Sequence, residues 1–298
     1  MNPPEITRTR WELRFSDASP PIRGDLRVPT AATPTAAVVI CHGFKGFREW
    51  GFFPPLARAV ARAGFAAVSF DFSRNGVGAD GRDFSALDLF AENTHSRNVE
   101  EIGLVVSAVL DGSLADLEIR SLGLLGHSRG GGEAVLAAEQ LPVDALVTWA
   151  AISTVRRWEE EQIRRWGKGG TVVIANARTG QQMPMGPGYW RDIEESGEAL
   201  DIEAAARRLR APWLIVHGTA DESVPVDEAR ELSRHATAAR LHEIDGGGHT
   251  FGATHPFAGP TPHLSEATRA TIDWFGEHLS ATGTGLSDRP ADEGVHLP

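Results

Sequence analysis

One short stretch of the chain joins a nucleophilic side chain to the backbone that nucleophilic catalysis needs, Gly126-His127-Ser128-Arg129-Gly130. An apolar run precedes it and an Ala-rich segment follows it, which predicts a strand that turns abruptly into a helix. Such a turn strains the middle residue and lifts its hydroxyl clear of the sheet, and glycine on both sides avoids clashes with the neighbouring backbone. The stretch therefore predicts Ser128 as a nucleophile. The alternative is a Gly-rich turn with an incidental serine.

A serine hydroxyl is a weak nucleophile and needs a base within hydrogen-bond reach. Among the eleven histidines, His249 has the most suitable context, because it follows three consecutive glycines in the loop after a predicted strand, Arg240–Ile244. Loops at the carboxyl ends of parallel strands are where open α/β sheets bind ligands. We therefore predict His249 as the base. His255 and His263 lie in the same loop and are the alternatives.

The base needs a carboxylate that orients it. Asp221 lies in the loop after the predicted strand Pro212–Val216, at the same edge of the sheet as the other candidates. The alternatives are the neighbouring Glu222 as the acid, or a turn-forming role for Asp221. We predict Asp221 as the orienting residue.

Acyl transfer also needs donors for the developing oxyanion. The amide of Arg129 is predicted at a helix N-terminus, where free N–H groups favour negative charge. A second donor is expected from the loop after the strand Ala36–Cys41, in which Gly43 allows close backbone approach and Phe44 supplies the amide. Each such donor typically contributes ~3 kcal/mol to the transition state. The alternative for this loop is an ordinary strand–helix turn.

Strands and helices alternate around these residues, which predicts a mostly parallel sheet with helices on both faces. The predicted strands are Arg10–Phe15, Gly24–Val28, Ala36–Cys41, Ala66–Phe70, Leu122–Gly126, Ala145–Trp149, Pro212–Val216 and Arg240–Ile244. The predicted helices are Pro54–Arg62, Asn93–Leu110, a helix that follows Ser128 and runs through Glu139, Val226–His235 and Glu266–His278.

The alternation breaks over residues 153–197, which predicts a cap insertion over the sheet. A charged helix, Arg156–Trp166, and a hairpin of Thr171–Ala175 with Gln181–Met185 are expected there. Large side chains in the insertion are candidates for the lining of a substrate pocket: Trp158, Trp166, Met183, Met185, Tyr189 and Trp190. The alternative is that they only pack the insertion onto the sheet.

The composition of the chain argues against several other classes of function. The chain has 298 residues and a net charge of −11, so a face for nucleic acid is not expected. It has no apolar run of about 18 residues, which argues against a membrane span. Its single cysteine, Cys41, favours a reducing cytoplasm. No metal-ligand spacing occurs, and no cofactor is expected. We expect one domain over residues 1–279, followed by a disordered tail over residues 280–298.

The motifs around Ser128, Asp221 and His249 resemble those of α/β-hydrolases. His42-Gly43-Phe44-Lys45-Gly46 and Phe70-Asp71-Phe72-Ser73 narrow the likeness to bacterial serine esterases grouped with dienelactone-hydrolase-like and acyl-peptidase-like proteins. The resemblance implies an α/β-hydrolase fold with an eight-stranded, mainly parallel sheet, a triad in the order Ser, Asp, His, and neither metal nor cofactor. Dienelactone hydrolases proper use cysteine where this chain has serine, and acyl-peptidases carry a propeller for which the chain has no room.

The sequence therefore predicts a serine hydrolase that cleaves a small-molecule carboxylic ester, or a thioester, through an acyl-enzyme. The alternatives are a small-peptide or amide hydrolase, and a non-catalytic ligand-binding protein on the same fold. The sequence leaves the oligomeric state open.

Overall fold

The computed structural model describes residues 4–14 and 20–279, so that the predicted tail and Phe15 lie outside the described residues. The strands are β1 Ile6–Leu13, β2 Ile22–Pro29, β3 Ala36–Cys41, β4 Ala66–Asp71, β5 Ser121–His127, β6 Ala145–Trp149, β7 Val172–Ala175, β8 Gln182–Met185, β9 Trp213–Gly218 and β10 Ala239–Ile244. The helices are α1 Phe53–Arg62, α2 Leu87–Ala91, α3 His95–Leu110, α4 Arg129–Gln140, α5 Glu160–Gly167, α6 Gly188–Ser196, α7 Ile202–Arg208, α8 Val226–His235 and α9 Pro262–His278.

Eight strands form one sheet in the order β1-β2-β4-β3-β5-β6-β9-β10. β2 pairs antiparallel with β1 and with β4. The remaining neighbours in this order, β4-β3-β5-β6-β9-β10, all pair in parallel. The predicted eight-stranded, mostly parallel sheet is therefore confirmed. The assignment of residues 1–279 to a single domain stays a prediction.

The central strands are apolar because both of their faces are covered. Along β3, Val38 and Ile40 pack into the core beneath α1 and α9, whereas Val39 and Cys41 pack into the core beneath α3 and α4. Successive side chains of a strand point to opposite faces, so one apolar run serves two hydrophobic layers. Within the described ranges, no helix is both long and apolar enough to cross a membrane.

The insertion contains α5, the hairpin β7–β8 and α6. α5 begins at Glu160 rather than at the predicted Arg156, because Glu159 forms a reciprocal cap with Gln162. The sequence did not predict α2, α6 or α7. α2 has only five residues, and α6 begins at Gly188 directly after a proline, where the helical pattern is weak.

Two helix starts also differ from the prediction because of threonine caps. The side chain of Thr94 accepts a hydrogen bond from the Arg97 amide, so α3 begins at His95. Thr261 caps α9 in the same way, and Pro262 follows at the first helical position. Both signals are present in the sequence, since threonine before a helix and proline at its first position are favourable starts.

The insertion is anchored to the helices that border the sheet. The carboxylate of Asp192 in α6 accepts hydrogen bonds from the amides of His95 and Ser96, at 3.0 and 3.1 Å, and thereby caps α3. The amide of Gly186 donates to the carbonyl of Ala91 at 2.8 Å. These contacts join the insertion to α2 and α3 through main-chain groups.

Candidate active site

Ser128 occupies a strained turn between β5 and α4, with φ 57° and ψ −123°. A Cβ atom at residue 126 would lie 2.3 Å from the carbonyl oxygen of Gly130, and one at residue 130 would lie 2.2 Å from that of His42. Both contacts are with backbone, which cannot move aside cheaply. Glycine is therefore required at both positions, for the steric reason inferred from the sequence.

The structure brings the three predicted triad residues together. The Ser128 hydroxyl lies 3.0 Å from His249 Nε2, and His249 Nδ1 lies 2.8 Å from Asp221 Oδ2. With the proton on Nδ1, His249 donates to the carboxylate and its Nε2 is free to accept from serine. The alternatives do not share this arrangement: Glu222 is exposed, and His255 accepts a hydrogen bond from the Gly51 amide.

The carboxylate of Asp221 is held on both oxygens. Its Oδ1 accepts from the amides of Ser223 and Val224 at 2.8 and 2.9 Å. Burial raises the pKa of Asp221, but hydrogen bonds from His217 and His249 outweigh burial, and the pKa lies below its ordinary range. Asp221 therefore stays ionised and keeps His249 in the productive tautomer.

His217 belongs to this site, although the sequence reasoning assigned it no role. Its Nε2 donates to the carbonyl of Val224 at 2.7 Å and lies 3.4 Å from Asp221 Oδ2. The four-residue spacing between His217 and Asp221, across the end of β9, is the feature of the sequence that could have indicated a contact between them. His217 supports the loop that carries the carboxylate.

Two further buried histidines stay neutral beside the candidate triad. Burial lowers the pKa of His127 to about 3, and its Nε2 donates to the carbonyl of His249 at 2.9 Å. Burial lowers the pKa of His42 to about 4. The first contact fixes the backbone of the base, and neither histidine adds charge to the site near neutral pH.

The two predicted oxyanion donors lie on adjoining backbone segments. A Cβ at residue 43 would lie 2.9 Å from both the carbonyl oxygen of His127 and the Cβ of Ser128, so the loop after β3 packs directly on the nucleophile turn. Phe44 is the next residue of that loop. Arg129 is the first residue of α4, and its amide has no acceptor within the helix.

A cavity of about 360 Å³ opens at Ser128 and His249. Of the six candidate pocket residues, Trp158 and Tyr189 line it. The other four do not, which corrects the sequence interpretation: Trp166, Met183, Met185 and Trp190 are buried inside the insertion. The Trp166 ring stacks on Trp190, and its Nε1 donates to the carbonyl of Met185. For these four residues the packing alternative describes the structure.

A buried polar network lies below the cavity and was not predicted. Glu133 accepts from Arg129 Nε at 2.8 Å, from His95 Nδ1 at 2.9 Å and from Asn98. The other ring nitrogen of His95 accepts from the Tyr189 hydroxyl at 2.7 Å. Burial lowers the pKa of His95, so the ring is neutral. The network joins α3, α4 and the insertion.

One group of side chains has the spacing of a cation site: Glu203, Glu231 and His235, on α7 and α8. These residues are half-buried, and none of them lines the cavity at Ser128. His235 Nε2 lies 2.9 Å from a carboxylate oxygen of Glu231, within hydrogen-bond reach. The group forms a polar cluster between two helices.

The matches to known proteins agree with this geometry. Residues 38–259 match the profile of the alpha/beta hydrolase family. The chain belongs to the α/β-hydrolase family. Its sheet, strand order and flanking helices are those of the α/β-hydrolase fold, and the hydrolase has this fold's strand–turn–helix at Ser128. Among curated protein sequences, none matches the chain.

Solved structures resemble the hydrolase in fold. Est1E from Butyrivibrio proteoclasticus with bound ferulic acid matches with a TM-score of 0.69 at 21% identity, over 90% of this chain and 98% of that one. Monoacylglycerol lipase from Paleococcus ferrophilus matches with a TM-score of 0.61 at 16% identity, over 92% and 100%. Dienelactone hydrolase from Anabaena variabilis matches with a TM-score of 0.58 at 18% identity, over 92% and 99%. At such identities the likeness shows the fold.

Proposed function

We propose that the protein is a serine hydrolase that cleaves a carboxylic ester, or a thioester, of a small molecule. The observation that carries the proposal is the hydrogen-bonded series from Ser128 through His249 to Asp221, at 3.0 and 2.8 Å, on a strained turn that opens into a cavity. The cavity, at about 360 Å³, falls in the usual size range for small-molecule sites.

The proposed reaction proceeds in two halves. Ser128 Oγ attacks the acyl carbon while His249 Nε2 takes the hydroxyl proton, and the amides of Phe44 and Arg129 stabilise the oxyanion. The carbon–oxygen bond to the alcohol breaks, and His249 returns the proton to the leaving oxygen. Water then loses a proton to His249 and attacks the acyl carbon. The bond from that carbon to Ser128 Oγ breaks while His249 returns the proton to Oγ, which releases the acid and restores both residues.

We also propose a reducing compartment, the cytoplasm, for the protein. The single cysteine, Cys41, is buried in β3, and burial raises the pKa of its thiol well above the ordinary value. The thiol therefore serves as a small core side chain rather than as a reactive group.

A comparison of wild type with Ser128→Ala tests the catalytic role. We expect the wild type to hydrolyse 4-nitrophenyl butyrate and to be labelled by a fluorophosphonate, and the variant to lose both. Judged from comparable triads, kcat should fall by a factor on the order of 10⁶. A folded Ser128→Ala protein with near wild-type turnover would contradict the assignment. Absence of turnover of esters, thioesters and short peptides by the wild type would favour a binding protein.

A further inference from the structure

The side chain of Arg129 has more hydrogen-bonding capacity than the protein uses. Only 8% of the side chain is exposed, and its Nε donates to Glu133. Within the part of the chain that the structure describes, its buried Nη2 has no hydrogen-bond partner. A buried donor without an acceptor is costly, so each such group in a folded protein calls for an explanation.

Arg129 is one of the residues that line the cavity at Ser128, and its guanidinium lies beside the rings of two other lining residues. Its central carbon lies 5.8 Å from the ring centre of Phe44 and 5.3 Å from that of Tyr189, so two aromatic rings flank it. The bond to Glu133, which His95 and Asn98 also contact, fixes the guanidinium from behind. The unused donor is thus part of a fixed group beside the nucleophile.

The charges around the cavity have one sign. Twelve residues line it, of which Lys45, Arg129 and Arg157 carry cationic side chains and none is Asp or Glu. The chain as a whole has a net charge of −11, so this lining contrasts with the rest of the molecule. The cavity is therefore suited to an anion.

Nearby carboxylates neutralise only part of this charge. Arg157 pairs with Glu228 at 3.0 Å, and Arg129 pairs with Glu133. Lys45 Nζ donates instead to the carbonyl of Ala175 at 3.2 Å, and burial lowers the pKa of Lys45. A bound anion would compensate the charge of Lys45 and supply an acceptor to Arg129.

We propose that the substrate carries a carboxylate in addition to the scissile ester, and that Arg129 and Lys45 bind this carboxylate while Ser128 attacks the ester carbon. The inference rests on the proposed ester hydrolysis. A planar guanidinium matches the geometry of a carboxylate, and charge-assisted hydrogen bonds are strong in a partly dry cavity. Arg129 then has two separate roles, with its amide at the oxyanion and its side chain at the carboxylate.

Matched esters test the proposal. In 4-nitrophenyl hydrogen glutarate the acyl chain ends in a carboxylate, and in 4-nitrophenyl 5-methylhexanoate an isopropyl group of similar shape replaces it. A second pair places the contrast in the leaving group: 3-carboxy-4-nitrophenyl butyrate against 3-isopropyl-4-nitrophenyl butyrate. We expect kcat/KM to favour the carboxylate of at least one pair by roughly tenfold to a hundredfold. No preference in either pair would overturn the proposal.

Variants of the two cationic residues then show which side chain produces the preference for the carboxylate. Arg129→Gln should lower the ratio of kcat/KM within the preferred pair by roughly tenfold or more, and Lys45→Met should lower it by a smaller factor. The matched controls are the exposed Arg164→Gln and Lys168→Met in the insertion, which should leave the ratio unchanged. A ratio that survives in a folded Arg129→Gln protein would refute the assignment. If that variant fails to fold, Lys45→Met decides in the same way.

A binding measurement separates this inference from the proposed function. Glutarate mono-4-nitroanilide, an amide mimic of the acidic ester, is titrated calorimetrically into Ser128→Ala and into Ser128→Ala/Lys45→Met. Weaker binding to the second protein would support the carboxylate site even if the wild type cleaves no ester. Equal binding by the two proteins, beside normal ester hydrolysis, would refute the site and leave the proposed function intact.

Discussion

Asp221 is the residue whose environment best explains the geometry of the candidate triad. Two backbone amides fix one carboxylate oxygen, while the other accepts from His249 at 2.8 Å. The carboxylate therefore has a single orientation, and so does the imidazole. Positioning of this kind matters because the base must present a bare Nε2 to the serine hydroxyl.

Asp221→Asn should leave the shape of the site intact while favouring the wrong tautomer of His249, because an amide can donate to Nδ1. We expect kcat on a short ester to fall roughly 10⁴-fold. The control is Glu222→Gln, which changes an exposed neighbouring carboxylate and should leave kcat within about twofold. If Glu222→Gln is the more damaging variant, the wrong acid has been assigned.

The two buried histidines beside the triad should not contribute to the pH dependence of activity. Burial holds the pKa of His42 at about 4 and that of His127 at about 3, and the pKa of Asp221 lies below its ordinary range. These three groups therefore keep one protonation state above about pH 5. We expect a folded His42→Gln protein to show the same pH dependence of kcat/KM as the wild type between about pH 5 and pH 8. A profile whose shape changes in this variant would show that His42 takes up a proton in that range.

At the scale of elements, the close packing of β5, α4 and the loop after β3 determines where the nucleophile lies. Gly130→Ala would place a Cβ 2.2 Å from a backbone carbonyl, so we expect a loss of about 1–3 kcal/mol or more in stability, together with lower kcat. Gly276→Ala in α9 is the control, because its Cβ meets nothing within 4 Å. It should raise stability by up to about 1 kcal/mol. Thermal unfolding with both variants decides, and equal midpoints would contradict the steric argument.

The insertion divides into residues that face the cavity and residues that hold the insertion together. Trp158→Ala should change kcat/KM along a series of esters of increasing acyl length, because its ring lines the cavity. Trp166→Ala should instead lower the free energy of unfolding by ~3–5 kcal/mol and leave the length preference unchanged, since this ring is buried among its neighbours. An unchanged preference in Trp158→Ala would show that the insertion does not shape the substrate site.

For the whole molecule, the sequence predicts what local pattern determines. The run Ala36–Cys41 is apolar because both faces of β3 are covered, so its bounds were predicted correctly. Ser128, Asp221 and His249 can also be predicted from the sequence, because each lies in a recognisable context at the end of a strand. Packing partners distant in sequence leave no such local signal.

The buried network shows where local pattern fails. His95 and Glu133 lie 38 residues apart and meet only because α3 packs beside α4. Likewise, Trp158 and Trp166 have the same side chain and lie on the same insertion, yet one faces the cavity and the other is buried. Only the docking of the insertion onto α2 and α3 separates their roles.

The order of the candidate triad along the chain has a consequence for biosynthesis. Ser128 and His249 are separated by 121 residues. At the usual 5–20 residues per second, roughly 6–24 seconds pass between their syntheses on the ribosome. During that interval the serine is present without its base, and the strained turn lacks the strand β9 and the loops that surround it. The nascent chain therefore stays inert towards esters, and hydrolytic activity can serve as a timed signal that the last third of the fold has formed.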